Sequence, residues 1–267
     1  MRHQLRLFFI ALQFFTRIPI PRWVGFEAEW LHHSARYFPA VGAFVGVVAA
    51  LVFGTAQLFF GPTVAALLGT VATVLLTGGF HEDGFADTCD GLGGHVSRER
   101  ALEIMKDSRI GAYGAMGLVL ILGLKVAVLS ALGALSVWSA MAALLIAHTT
   151  SRTATVLMIA WLPYAGDEAH AKAKPLAQRA RLSDVLVACA TTLVVVGAVV
   201  LAGSHGVEVG SWHAAMTSLL AATLMLLWCT RWLKKRLGGV TGDTLGATQQ
   251  LVEVAMLLAW LGANRWN

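Results

Sequence analysis

Charge is scarce in this chain. Asp, Glu, Lys and Arg make up 13% of its 267 residues, against 57% hydrophobic. A soluble domain is typically about a quarter charged, so the composition argues against an ordinary soluble enzyme and for a polytopic membrane protein. Cysteine is scarcer still. Cys89, Cys189 and Cys229 are too few and too scattered for a disulfide framework, and no CxxC pair suggests zinc. No long polar segment interrupts the sequence, so residues 1–267 read as a single integral membrane domain. The net charge of +5 is modest; its distribution orients a membrane protein and gives no nucleic-acid signal.

What is present is a series of apolar runs, near 39–60, 63–80, 112–135, 137–160, 183–203, 212–230 and 245–262. Each has about the length a helix needs to cross roughly 30 Å of hydrocarbon. The expected fold is all-α: a polytopic bundle of about seven transmembrane helices, preceded by an N-terminal interfacial amphipathic helix. That first helix is too short to span. On a helical wheel Arg2, Arg6, Gln13 and Arg17 form one polar stripe, the rest of residues 5–15 is apolar, and Pro19 and Pro21 end it. "TRIPIPR" offers no small-residue cleavage site after it, so it does not read as a signal peptide.

Lys and Arg alternate along the chain. Residues 1–38, 81–111, 161–182 and 231–236 carry them, while the turns at Gly61–Thr63, near Ser136 and at 204–211 have none. The positive-inside rule then predicts a cytoplasmic N-terminus and a C-terminus on the other side of the membrane. The two polar runs, "GGFHEDGFADTCDGLGG" at 78–94 and "GGVTGDTLGATQQ" at 238–250, fall on the same cytoplasmic face.

The first run places Glu82, Asp83, Asp87 and Asp90 within nine positions of a chain with only 15 acids. As a helix, Asp83, Asp87 and Asp90 share a face and repel, poorly screened at a membrane boundary. A divalent cation relieves that repulsion. Mg²⁺ suits oxygen donors and is commonly shared with substrate phosphates, whereas His81, His95 and Cys89 suggest no joint zinc geometry. The competing reading is a solvated helix end. "GGFHEDGFADT" aligns without gaps on "GGVTGDTLGAT", pairing Asp83 with Asp243 and marking Asp243 as a further ligand. Gly84, Gly91, Gly93, Gly94 and Gly242 are read as letting a bulky ligand approach the backbone. Arg109 and Arg152 suit phosphate. Asp107 is open between ligand, cap and ion-pair partner; His148 reads as a satisfied interior group. Lys125 and Glu253, both deep in spans, read either as a structural ion pair or as lining a wet cavity. The basic loop 161–182 would attract an anion or simply orient the bundle.

Taken with "FFTRIPIP" (14–21), "FPAVG" (38–42), "IMKDSRIGAYG" (104–114) and "SRTA" (151–154), these motifs closely resemble the cobalamin synthase family, the adenosylcobinamide-GDP ribazoletransferases. The resemblance covers nearly the whole chain. It implies a Mg²⁺-dependent inner-membrane enzyme joining adenosylcobinamide-GDP to α-ribazole or α-ribazole 5′-phosphate with release of GMP. The lipid bilayer would be its environment, and self-association into a homo-oligomer is left open. On this reading Asp83, Asp87, Asp90 and Asp243, with Glu82 at a variable position of the motif, hold the metal. Arg109, Arg152 and Arg17 neutralise phosphate, and Asp90 or His81 takes the proton as the ribazole 5′-oxygen attacks. The rival readings are a CDP-alcohol phosphotransferase-like lipid enzyme, whose usual Ala-Arg pair and later GxxxDxxxD are missing, and a small-molecule transporter.

Overall fold

The computed structural model describes residues 2–25, 27–166, 179–205 and 211–265. Ten helices follow in order: α1 Arg2–Phe15, α2 Ala28–Ser34, α3 Phe38–Thr77, α4 Phe80–Leu92, α5 Arg98–Met105, α6 Ala112–Leu135, α7 Val137–Trp161, α8 Leu182–Ser204, α9 Trp212–Leu237 and α10 Gly242–Arg265. No strand forms among the described residues; one isolated bridge pairs Tyr164 with Val240.

Six of these helices are long and apolar enough to cross a membrane. One of them, α3, is two arms. Gly61 leaves helical geometry at φ 75°, ψ 175°, a backbone that glycine adopts without steric cost, and Pro62 restarts the helix. The arms fold back on one another: a Cβ added at Gly69 would lie 3.5 Å from the Ala49 carbonyl and the Phe53 side chain. The bundle therefore has seven spanning arms, with limits close to those the apolar runs predict.

Burial sorts the helices. In α7, 89% of the most apolar window is buried, against 17% in α8. So α7 forms the core of the bundle, while α8 presents Leu186, Leu193, Val194 and Leu201 outward, as a lipid-facing helix does. The two ends also differ. At one end Thr63 bonds Ser130, and the Gln57 amide donates to the Gly133 carbonyl. At the other, Arg98 donates to the Leu237 and Ala165 carbonyls, Arg236 to those of Leu92 and Gly94, and Arg36 pairs with Asp184. All the basic loops that the structure describes meet at that second end.

The N-terminal helix differs from the expected surface stripe. It ends at Phe15, so Arg17 lies beyond it, and Thr16 caps back onto the Leu12 carbonyl. Leu7, Ile10, Ala11 and Phe15 are buried against the bundle. The apolar surface of this helix is matched by α2 and α3, where the ring of Phe38 meets Phe15 edge-on.

Candidate functional site

Two glycine turns build the site. Gly78 closes α3 in the left-handed region (φ 71°), Gly79 repeats that conformation, and α4 begins. Gly238 closes α9 in the same way (φ 75°), and α10 begins four residues later. There Thr241 and Thr244 cap each other, side chain to amide, at 2.8 and 3.2 Å, satisfying donors that a helix start leaves unpaired. The weak sequence echo is thus a structural one. In both copies a left-handed glycine is followed by a helix with an aspartate in its first turn, Asp83 or Asp243, where the helix dipole favours negative charge.

The two copies touch. A Cβ at Gly84 would fall 2.9 Å from the Asp243 Cα and carbonyl oxygen, and one at Gly246 would fall 3.2 Å from the His81 carbonyl. Glycine therefore serves helix–helix contact here. The same holds at Gly91, where Met105 and Ala101 of α5 fill the space. The expectation that Gly84 and Gly91 leave room for a ligand is overturned: neighbouring helices occupy that room. Gly242 lies beside a small apolar void with Phe15, Phe38 and His81.

A cavity of about 630 Å³ opens where α1, the α3–α4 turn, α4 and the start of α6 meet, within the roughly 300–1,000 Å³ usual for small-molecule sites. Asp83 and Asp87 form one wall, and Arg17, Thr16 and Thr77 are also on its lining. Arg17 is held by its backbone amide on the Leu76 carbonyl, with its guanidinium over Gly78. It has no ion-pair partner among the described residues. Asp87 is half-buried, and its carboxyl is pushed up to about 7, first by burial and then by the charges of Asp243, Asp83 and Asp90.

The remaining predicted residues, Glu82 excepted, sit away from the cavity. Asp90 accepts the amides of Gly111 and Gly114 at 2.7 and 2.8 Å, capping α6 from another helix. Glu82 stays on the cavity lining but is nearly buried, and it accepts the Gln250 amide at 2.9 Å. His81 is buried, stacked on Phe15 and edge-on to Phe80, and burial followed by the Arg152 charge holds its pKa well below 6.5. Arg109 is exposed and forked onto Asp107 at 2.6–3.2 Å; Asp107 is its ion-pair partner and falls to about 2 because of that bond. Arg152 is 1% exposed, donates to the His148 carbonyl and lies over Phe15. Arg109, Arg152, His81 and Asp90 are all absent from the cavity wall, where a phosphate or proton role had been expected of them. Depth and motif membership had suggested those roles; packing decides where the side chains go. Among the described residues, no three His, Cys, Asp or Glu side chains converge as an all-protein metal cage requires.

Sequence reasoning passed over Ser108 and Thr77 in the cavity wall and the inward amide of Gln250. Ser108 lies in a quoted motif, but no spacing rule marks it. Deeper in the bundle, Glu253 pairs with Lys125 and with His148 Nδ1 at 2.9 Å, and Gln249 bridges Glu253 to Ser151. Lys125–Glu253 is therefore a structural ion pair. Of the basic loop 161–182, Lys172 and Lys174 lie outside the described residues.

Comparison with known proteins adds the remaining link. The family model described as cobalamin-5-phosphate synthase matches residues 7–261. Proteins named adenosylcobinamide-GDP ribazoletransferase are similar over nearly the full chain. That of Leptothrix cholodnii is 54% identical over 99% of this chain and 97% of its own length. Those of Polaromonas sp. and Shewanella piezotolerans are 48% and 43% identical, covering 95% and 98% of this chain and the same shares of their own lengths. No solved structure matches. A match across almost every span, including both glycine–aspartate turns, leaves one conclusion: the chain belongs to the cobalamin-5-phosphate synthase family.

Proposed function

We propose that this chain transfers the adenosylcobinamide phosphate moiety of adenosylcobinamide-GDP to α-ribazole or α-ribazole 5′-phosphate, releasing GMP and giving adenosylcobalamin or its 5′-phosphate. Family membership supports the reaction and sets aside the lipid-phosphotransferase and transporter readings. One geometric observation carries the chemistry: Asp87, crowded by three other aspartates, faces the same cavity as the unpaired Arg17.

The donor set fits Mg²⁺. It is all oxygen, its members repel one another, and it is open on the cavity side. Mg²⁺ is usually bound through one or two carboxylates, with waters and substrate phosphates completing the shell. Asp83 and Asp87 would hold it, with Asp243 behind them. The ion would supply charge neutralisation at the pyrophosphate. Arg17 binds the phosphate oxygens that remain. Phe14 and Phe80, meeting edge-on at 5.2 Å, close the cavity's apolar side. A ribazole hydroxyl attacks the phosphorus on the cobinamide side, its proton passes to a cavity carboxylate, and the bond to GMP breaks. The attacking oxygen is not the 5′-oxygen, because the 5′-phosphate is retained in the product formed from α-ribazole 5′-phosphate. The basic loops gathered at the site's end support a cytoplasmic active site in the inner membrane, with the N-terminus inside and the C-terminus outside.

The test uses the purified protein in detergent. GMP should be released from adenosylcobinamide-GDP plus α-ribazole 5′-phosphate only when Mg²⁺ is present. Asp83→Asn should abolish turnover while the variant stays folded and monodisperse. A near-normal rate in Asp83→Asn removes the metal assignment.

A further inference from the structure

The four clustered acids do not face the same way. Asp83 and Asp87, one helical turn apart, face the cavity. Glu82 borders the same cavity but, about 100° around α4 from Asp83, it is only 8% exposed, with one carboxyl oxygen turned to Gln250 of α10. Its Oε1 accepts the amide of Gln250, which is 2% exposed, and its Oε2 is buried without a partner. Arg152, buried in α7, feels the negative charge of Glu253 first and of Glu82 second. In this part of the bundle the buried charges are Lys125 and Arg152 with Glu253 and Glu82; the other buried acid, Asp184, is paired with Arg36. If Glu82 were turned outward to a cation, Arg152 would lose its second counter-charge. Leaving a buried ion uncompensated is strongly destabilising.

The contact spans the joint that the site depends on. Glu82 is on α4 with Asp83 and Asp87; Gln250 is on α10, two turns beyond Asp243. Between them the two backbones are in contact at Gly84 and Gly246. Such a contact leaves rotation of α4 about its own axis, and sliding along α10, to be fixed by side chains. Among the described residues, Glu82–Gln250 is the side-chain hydrogen bond recorded between these two helices.

We infer that Glu82 is a positioning residue, holding α4 on α10 so that Asp83 and Asp87 stay beside Asp243, and is not itself a ligand of the cation. The inference rests on the reading of the site proposed above. Exchanging the two partners tests it, because Glu82→Gln with Gln250→Glu returns one carboxylate and one amide to the same contact.

Two quantities are measured for Glu82→Gln, Gln250→Glu and the double exchange: the melting midpoint of metal-free protein, and Mg²⁺-dependent GMP release. Each single variant should lower the midpoint and slow kcat by about tenfold or more, with the Mg²⁺ concentration for half-maximal rate within about twofold of wild type. The exchange should recover most of the midpoint and bring kcat to within about threefold of wild type. A rise of about tenfold or more in the Mg²⁺ requirement of Glu82→Gln overturns the inference and makes Glu82 a ligand. An exchange no better than the single variants in either quantity overturns it too. If wild type itself releases GMP without Mg²⁺, the magnesium reading fails separately, and recovery of the midpoint alone decides for or against the Glu82–Gln250 contact.

Discussion

Glu253 and Asp87 are both carboxylates partly or wholly withdrawn from water, yet their surroundings are opposite in kind. Glu253 sits inside the bundle with Lys125, His148 and Gln249 against its two oxygens. Asp87 has other carboxyls for charged neighbours, Asp243, Asp83 and Asp90, and it faces open space. An acid whose charge is answered by the protein stabilises the protein. An acid whose charge is answered by nothing in the chain makes the fold pay and is useful only when something from outside completes it. The contrast separates scaffold from site more sharply than depth in the membrane or membership of a motif.

The sharpest way to break the comparison is to neutralise one carboxylate of each kind. Asp87→Asn should lower GMP release by at least about 100-fold, the scale seen when one group stabilising developing charge is lost. Its melting midpoint without metal should stay level or rise, since repulsion has been removed. Glu253→Ala should behave in the reverse sense. It strands Lys125 in the interior and should cost about 3–5 kcal/mol of stability, seen as a large fall in melting midpoint and in recovered folded protein. A destabilised Asp87→Asn and a stable Glu253→Ala would erase the distinction.

Much of this arrangement was legible in the sequence. Apolar length gave the seven arms, and Gly61–Pro62 marked the hairpin inside α3. The i, i+4 spacing put Asp83 and Asp87 on one face, and the repeated Gly-Gly…Asp string paired Asp83 with Asp243, though not the two glycine turns that bring them together. What spacing could not give was what packs against each face. Asp90 belongs by period to the same stripe as Asp87, but the start of α6 reaches it first. Glu82 belongs to the same run of acids, but one step along a helix turns one of its oxygens to Gln250 of α10. The glycines were misread for a related reason: a missing Cβ signals close approach, and the sequence does not say whether a ligand or a helix approaches. Arg17 was placed on a helix that stops two residues short of it, because Thr16 satisfies the last turn locally.

A smaller effect tests the joint on which the site side depends. In Gly84→Ala the new methyl would meet Asp243 backbone atoms at 2.9 Å, and backbone cannot swing aside as a side chain can. The helices must separate, at a cost of about 1–3 kcal/mol. Because Asp83 and Asp87 move away from Asp243 together, GMP release should fall more than stability does. Gly262, with no neighbouring atom within 4 Å of its added Cβ, supplies the control: Gly262→Ala should leave both nearly unchanged.

The smallest effect is a proton. Asp87 titrates at about 7 in the native protein, against about 4 for an unfolded aspartate. Between those values the native state holds a proton that the unfolded chain has lost. This group's contribution to the stability of metal-free protein therefore falls as pH rises from about 4 to about 7, then levels off. Mg²⁺ must displace the same proton. Its apparent affinity should rise with pH, by up to about tenfold per unit below 7, and flatten above about 8. Calorimetric titration of Mg²⁺ at pH 6, 7 and 8, in two buffers of different ionisation heat, reads the proton release directly. Asp87→Asn should remove most of that release at pH 7 and leave at pH 6 only the share of Asp243, which burial and then the Asp83 charge hold up at about 6. A release that survives the substitution unchanged would locate the displaced proton on another group, and Asp87 would no longer be the acid left for an incoming ion to answer.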